Sequence, residues 1–154
     1  MRALVQRVAK GSVEILEQNY FASIGKGMVI LLGIKEGDNE DDLLFVADKC
    51  TNLRIFEDEN EKMNLSLKDV DGEVLIISQF TLYGDSRKGN RPSFIEAARP
   101  ETAIPLYEKF IARMESNLGK EKVKQGIFGA MMLVKISNDG PVTIMIESKE
   151  RDSD

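Results

Sequence analysis

The chain of 154 residues contains no histidine and a single cysteine. Without histidine it lacks the side chain that most often serves as general base and as transition-metal ligand. A zinc site would have to be built almost wholly from carboxylates, against that ion's preference for nitrogen and sulfur, so no metal and no other cofactor is expected. The lone Cys50 excludes an intramolecular disulfide, and its place in a helical pattern points to a buried structural thiol rather than a nucleophile. No stretch approaches the ~18 apolar residues of a membrane span. The opening "MRALVQRVAK" carries Arg2 and Arg7 and has no signal-peptide core. These absences predict a cytoplasmic protein with no membrane partner.

What remains is ordinary for a globular protein: 42% apolar and 31% charged residues. The length suits one domain, expected over residues 1–148, with a disordered tail at 149–154. Charge is uneven. Residues 36–62 hold ten acidic and three basic side chains, net −7, which leaves +2 for the remainder of a chain of net charge −5. Arg87, Lys88, Arg91 and Arg99 crowd one short span, and Lys120, Lys122 and Lys124 another. Such patches meet phosphates or are simply solvated surface.

Along the chain, "ALVQRV" and "SVEILE" read as two strands joined at Lys10-Gly11, "YFASI" as a third, and "MVILLGI" as a fully apolar fourth. Leu43, Leu44, Val46, Ala47 and Cys50 recur with helical spacing. "RIFEDENEKMN" mixes an extended piece with an acidic turn, and "EVLIIS" is another apolar strand. A helix is expected from about Ser93 until Pro100 breaks it. A longer one follows from Thr102 to about Asn117, with Ile104, Leu106, Tyr107, Phe110, Ile111 and Met114 on one face. "MMLVKIS" and "VTIMIES" read as two strands separated by "NDGP". Strands outnumber helices, which predicts an α+β fold with a mainly antiparallel, barrel-like sheet and two or three helices. The two wholly apolar strands need both faces covered, and a subunit interface is one way to do that.

Two stretches carry possible chemistry. In "SQFTLYGD", residues 78–85, Ser78, Gln79 and Thr81 arrive together where a buried strand should be ending. Hydroxyls there can be nucleophiles if a base activates them, but no lysine or carboxylate is adjacent. Backbone N–H groups at a strand end can instead hold an oxyanion, or the side chains simply cap local backbone. In "NDGPVT", Asn138, Asp139 and Gly140 are turn formers. Pro141 interrupts a plain hairpin, and Gly140 permits close approach by another molecule.

These two motifs in this order, with "LLGI", "NLRIFEDENEKMNLSLKDV", "GNRPSF" and "FGAMM" around them, resemble the D-aminoacyl-tRNA deacylase family of the D-tyrosyl-tRNA deacylase type. The similarity runs from "MRALVQRV" to about Ser148. It departs at Met131, where the family usually has an acidic residue, and at Gly84, often alanine. The resemblance implies a homodimer that cleaves the ester between a D-amino acid and the 3′-terminal adenosine of tRNA. It implies tolerance of glycyl-tRNA, as when glycine is mischarged on the alanine tRNA, and a role in chirality proofreading. It also implies a pocket formed by Ser78, Gln79, Phe80 and Thr81, with walls from Ala103, Phe128 and Met132. A cis Gly140-Pro141 pair braced by Arg7 would reach into the partner's pocket. For Phe128 and Met132, ordinary core packing is the reading from the residues alone.

Two other functions fit parts of the pattern. A non-catalytic nucleic-acid-binding dimer would use the basic patches, although no exposed aromatics are expected among them. A hydroxyl-nucleophile esterase would use Ser78 or Thr81, although it lacks an activating base.

Overall fold

The computed structural model describes residues 1–148. The tail expectation for 149–154 concerns residues outside those described. The elements are β1 (Arg2–Ile15), β2 (Tyr20–Ile24), β3 (Gly27–Gly33), α1 (Glu40–Asn52), β4 (Phe56–Glu57), β5 (Met63–Leu65), β6 (Glu73–Ser78), α2 (Pro100–Leu118), β7 (Val123–Gln125) and β8 (Leu133–Glu147). The fold is α+β, as expected, with a curled mixed sheet. All three pairings of β1 are antiparallel, whereas β3–β6 and β6–β7 are parallel. Parallel neighbours need a long crossover, and α1 and α2 lie in the two connections.

The expected break at Lys10-Gly11 is absent: β1 is one continuous strand of 14 residues. Gly11 marks a change of partner instead. Up to Val8 one edge of β1 pairs with β3, and from Gly11 onward that edge pairs with β2. A Cβ at Gly11 would lie 3.0 Å from Val29 Cγ2, so the glycine lets the strand bend across the sheet interior. The two strands expected on either side of "NDGP" are likewise one element, β8. Both flanking segments pair with β1, not with each other. Asn138 lies opposite Val8 and Thr143 opposite Gln6, so residues 139–142 bulge out opposite Arg7. A bulge needs no ladder donor, which suits Pro141.

The helix expected from Ser93 does not form. Ser93 makes an antiparallel bridge with Asp85, and Ala97 one with Lys35. Pro100 does not break a helix but opens α2 at its first position, where a missing N–H costs nothing. Ala103, Leu106, Tyr107, Phe110, Ile111 and Met114 form the buried stripe of α2. Ile104, expected on that face, is 37% exposed, as is Leu44 of α1.

The apolar strands are covered within one chain. Met28, Ile30 and Leu32 of β3 pack with Val46, Cys50, Phe110 and Met114 of the helices. Val29, pointing the other way, packs with Val13, Ile15, Ile24, Leu75 and Ile77 inside the curled sheet. Full burial of such side chains contributes about 1.5–3 kcal/mol each. The subunit interface is therefore not needed to cover these strands. Cys50 is fully buried, and burial pushes its thiol up to about 12, the state of an inert structural thiol.

Candidate functional site

Strand β6 runs in parallel register with β3 as far as Ser78 opposite Leu32. Its last ladder bond is Gln79 N–H to the Leu32 carbonyl, 2.8 Å. The chain then folds into a 3-10 turn, Phe80–Tyr83, over the end of β3. Gly33 makes room for this fold: a Cβ there would stand 3.1 Å from Leu82 Cβ and 3.2 Å from the Gln79 carbonyl oxygen. Arg2 holds the turn down. Its Nη1 donates to the Leu82 carbonyl at 2.9 Å, and its guanidinium lies 4.5 Å from the Tyr83 ring centroid.

The polar side chains at this strand mouth do not cap the turn, which has no side-chain cap hydrogen bond. Gln79 Nε2 instead donates to Thr81 Oγ1. Ser78 and Gln79 are half-buried, whereas Phe80 and Thr81 are exposed. The Phe80 ring meets Phe94 edge-on, with centroids 5.1 Å apart. The expectation that no exposed aromatics accompany the basic span is thereby corrected. Phe80 is 55% and Phe94 36% exposed, and folding brings them to the base of the loop that carries Arg87, Lys88 and Arg91.

α2 and the segment after β7 meet at this end of β6. Tyr107 is buried, and burial raises its phenol well above the ordinary value. Its hydroxyl donates toward two carbonyls, Ile76 at 3.1 Å and Gly126 at 3.3 Å. It thus ties the end of β6 to the segment that carries Phe128 and Met132. The Phe128 ring lies 5.8 Å from that of Tyr107. Ala103 is buried one helical turn before Tyr107. A Cβ at Gly126 would stand 2.6 Å from Met132 Sδ and 3.1 Å from Ile77 Cδ1, so the glycine lets Met132 close over Ile77 beside Ser78. Ser78, Gln79, Phe80 and Thr81 are consecutive at the end of β6, Ala103 and Phe128 pack in the core on the helix side, and Met132 packs with Ile77 in the core inside the curled sheet. Met131 is 84% exposed and, with Met132, lines a depression shared with Glu14, Leu16, Glu17 and Leu133.

The Gly140-Pro141 peptide is cis, and Gly140 has φ 139°. Two side chains, Arg7 and Asn138, hold the bulge. Arg7 Nε donates to the Asp139 carbonyl at 2.8 Å, and Arg7 Nη1 to the Ile55 carbonyl at 2.8 Å. Asn138 Oδ1 accepts from Val142 N–H at 2.8 Å, while its Nδ2 donates to Thr143 Oγ1 at 3.0 Å. Gly140 and Pro141 themselves stand exposed. A 190 Å³ depression beside the bulge is lined by Arg7, Val8, Lys26, Phe56, Glu57 and Asp139, none of them from the strand mouth.

One chain does not bring the bulge to the strand mouth. Ser78 lies in one row with Leu32, Ala3 and Ile146, while the bulge lies opposite Arg7, four residues further along β1. At ordinary strand rise and spacing, with three strand steps across, the separation is roughly 20 Å. Sequence reading missed Tyr107, Gly126 and the side-chain role of Asn138. A lone hydroxyl on the apolar stripe of α2 was the available signal for the first. Among the described residues, no three histidine, cysteine or acidic side chains gather as a metal site. Nor, among the described residues, is any helix long and apolar enough to cross a membrane.

The relatives of the chain are consistent along its length. It is 53% identical to a D-aminoacyl-tRNA deacylase of Flavobacterium psychrophilum over 99% of this chain and all of that protein. It is 56% identical to one of Clostridium botulinum over 97% of this chain and 99% of the other. Among solved structures, it is similar to a c-Myc DNA unwinding element binding protein, with TM-score 0.89 and 42% identity over 96% of this chain and 98% of the other. A probable eukaryotic D-amino acid tRNA deacylase shares the fold, with TM-score 0.79 at 17% identity over 95% and 98% of the two chains. The family profile described as D-Tyr-tRNA(Tyr) deacylase matches residues 4–147, a span that includes both the strand mouth and the bulge. The chain belongs to the D-Tyr-tRNA(Tyr) deacylase family.

Proposed function

We propose that the protein is a hydrolase that cleaves the ester between a D-amino acid and the 3′-terminal adenosine of tRNA, as a cytoplasmic homodimer. The observation that carries this reading is a whole-length match to deacylases that includes an uncapped polar strand mouth. The turn's own backbone bonds begin at Leu82 N–H, which donates to the Gln79 carbonyl. The N–H groups of Phe80 and Thr81 lead that turn and would receive the oxyanion.

Water adds to the ester carbonyl, and the resulting oxyanion rests on these donors. Collapse breaks the bond to the ribose 3′ oxygen, which takes up the proton that the attacking water gives up, and releases a free D-amino acid and tRNA. An aminoacyl ester is already activated, and the vicinal 2′-hydroxyl assists attack, so positioning matters more than a strong base. Thr81 fits this account. Its hydroxyl accepts from the Gln79 amide, and a donor of that kind cannot take the proton a nucleophile must lose.

Chirality selection would require a second subunit. With the bulge roughly 20 Å from its own strand mouth, Gly140-Pro141 would act on the partner's pocket. There it would clash with an L side chain and leave a D side chain free. Glycine has no side chain to clash, so glycyl-tRNA should be cleaved as well. This rejection is a proofreading of chirality in translation. The test is deacylation of matched D- and L-tyrosyl-tRNA, with sedimentation at the assay concentration. Turnover of the D ester alone by a particle of two chains is expected. Binding of tRNA without hydrolysis would favour a non-catalytic nucleic-acid-binding dimer, and an active monomer would overturn the shared site.

A further inference from the structure

We propose that the loop of residues 86–92 is the phosphate grip for the acceptor end of tRNA, with Lys88 and Arg91 as its principal contacts. The inference rests on the deacylase reading and adds to it the surface that holds the nucleic acid. Reciprocal bonds close the loop at its base: Asp85 N–H to the Ser93 carbonyl at 2.8 Å and Ser93 N–H to the Asp85 carbonyl at 2.9 Å. Between them runs "SRKGNRP", fully exposed, with three cations and no acid. Gly89 turns its apex at φ 82°, with nothing within 4 Å of where a Cβ would stand.

Arg87 is engaged, since its Nε and Nη2 chelate the Asp85 carboxylate at 2.9 and 2.7 Å. That chelate ties the first cation back to the base of the loop. Lys88 and Arg91 stand in no ion pair among the described residues. At the foot of the loop, Phe94 lies against the turn, because a Cβ at Gly84 would stand 3.0 Å from its ring. Its edge meets Phe80 of the strand mouth. Cations beside an exposed aromatic pair are the combination that grips a single strand by its phosphates and bases. Here that combination joins the pocket where the terminal ester must sit. The other basic group fits less well. Lys122 is paired with Asp71 at 3.0 Å, and Lys124 donates to the Glu121 carbonyl at 3.2 Å.

The experiment uses an uncharged, fluorescent acceptor-stem minihelix with its single-stranded 3′ end, bound to the full chain across a salt series. The Lys88→Ala/Arg91→Ala double variant is compared with wild type and with Lys120→Ala/Lys124→Ala. Loss of two phosphate contacts should lower the slope of log affinity against log salt by about 1.5, or about eightfold between about 50 and 200 mM salt. The ratio of kcat/KM for D-tyrosyl-minihelix to that for D-tyrosyl-adenosine should fall by roughly tenfold in the same variant. An unchanged slope, or a slope change in the Lys120/Lys124 variant instead, overturns the proposal. Because the binding arm involves no chemistry, the two failures separate. Cleavage by wild type with an unaltered slope in the loop variant sinks the grip alone. A loop-dependent slope without any cleavage sinks the deacylase reading and leaves the surface in place.

Discussion

Replacing Arg7 by lysine probes the bulge while keeping its positive charge. Arg7 is 7% exposed, and its guanidinium donates to two carbonyls, those of Asp139 and Ile55, both at 2.8 Å. Glu57 Oε1 lies 3.8 Å from its remaining nitrogen. A lysine ammonium is a point charge without the rigid fork, so it can serve one carbonyl and not both. The Ile55 bond is the more buried, and the Asp139 carbonyl can turn toward water, so the Asp139 bond should be the one surrendered. A hydrogen bond to a charged group contributes about 1.5–3 kcal/mol. With partial recovery by water, the variant should lose about 2 kcal/mol of unfolding free energy in guanidinium titration. If the bulge positions the chirality gate, the D-to-L ratio of kcat/KM should fall by roughly 10- to 30-fold, the equivalent of about 1.4–2 kcal/mol. Matched D- and L-tyrosyl-tRNA deacylation reads that ratio. A variant within about 0.5 kcal/mol of wild type that rejects the L ester as before would refute the assigned role of Arg7.

Thr81→Ala should keep activity within about tenfold of wild type. A loss of about 10⁴-fold in a folded protein, or an acyl-enzyme trapped on Thr81, would return it to the role of nucleophile. Tyr107→Phe leaves the Ile76 carbonyl still bonded to Gly126 N–H at 2.9 Å. Only the Gly126 carbonyl therefore loses its partner, and stability should drop by about 1 kcal/mol. Turnover should drop with it, as the Phe128–Met132 wall loosens, and unaltered kcat at that lower stability would count against a positioning role. Gly140→Ala places a Cβ 2.8 Å from Val142 Cγ2 and 3.1 Å from Arg7 Nη2 at a φ of 139°. It should lower D-ester turnover in a still-dimeric protein, so unchanged turnover and selectivity would argue against the gate. Hydrogen bonding from Arg113 holds the Asp48 carboxyl below its ordinary value of 3.8. Its contribution is therefore present above that pH and lost as pH falls through the lower folded value. For this partly exposed pair it amounts to less than about 1 kcal/mol. Melting of Asp48→Asn should lie below wild type at neutral pH and converge with it in acid, and a gap that persists in acid would refute the ion pair.

Sequence alone determined what depends on local pattern. The unbroken apolar runs of β3 and β6 marked strands, the spacing of Leu43, Val46, Ala47 and Cys50 marked α1, and the absence of histidine removed the commonest base and metal ligand. The motifs around Ser78 and Gly140 were legible because strand ends and turn residues carry their chemistry in a few adjacent positions. Tertiary structure decided everything that depends on which segments meet. Lys10-Gly11 carries good turn chemistry, but β2 and β3 share one edge of β1 there, and pairing overrode the local signal. Ser93 was read as a helix start, yet its backbone is taken by Asp85. Tyr107 has the spacing of one more core residue, and only folding sets its hydroxyl between the Ile76 and Gly126 carbonyls. Phe80 and Phe94 stand 14 positions apart in sequence, and only folding sets them edge to edge beside the basic loop. The separation of the Gly-Pro bulge from its own strand mouth is likewise a property of register. Three strands each fix their neighbour's offset, and no local stretch of sequence encodes that sum.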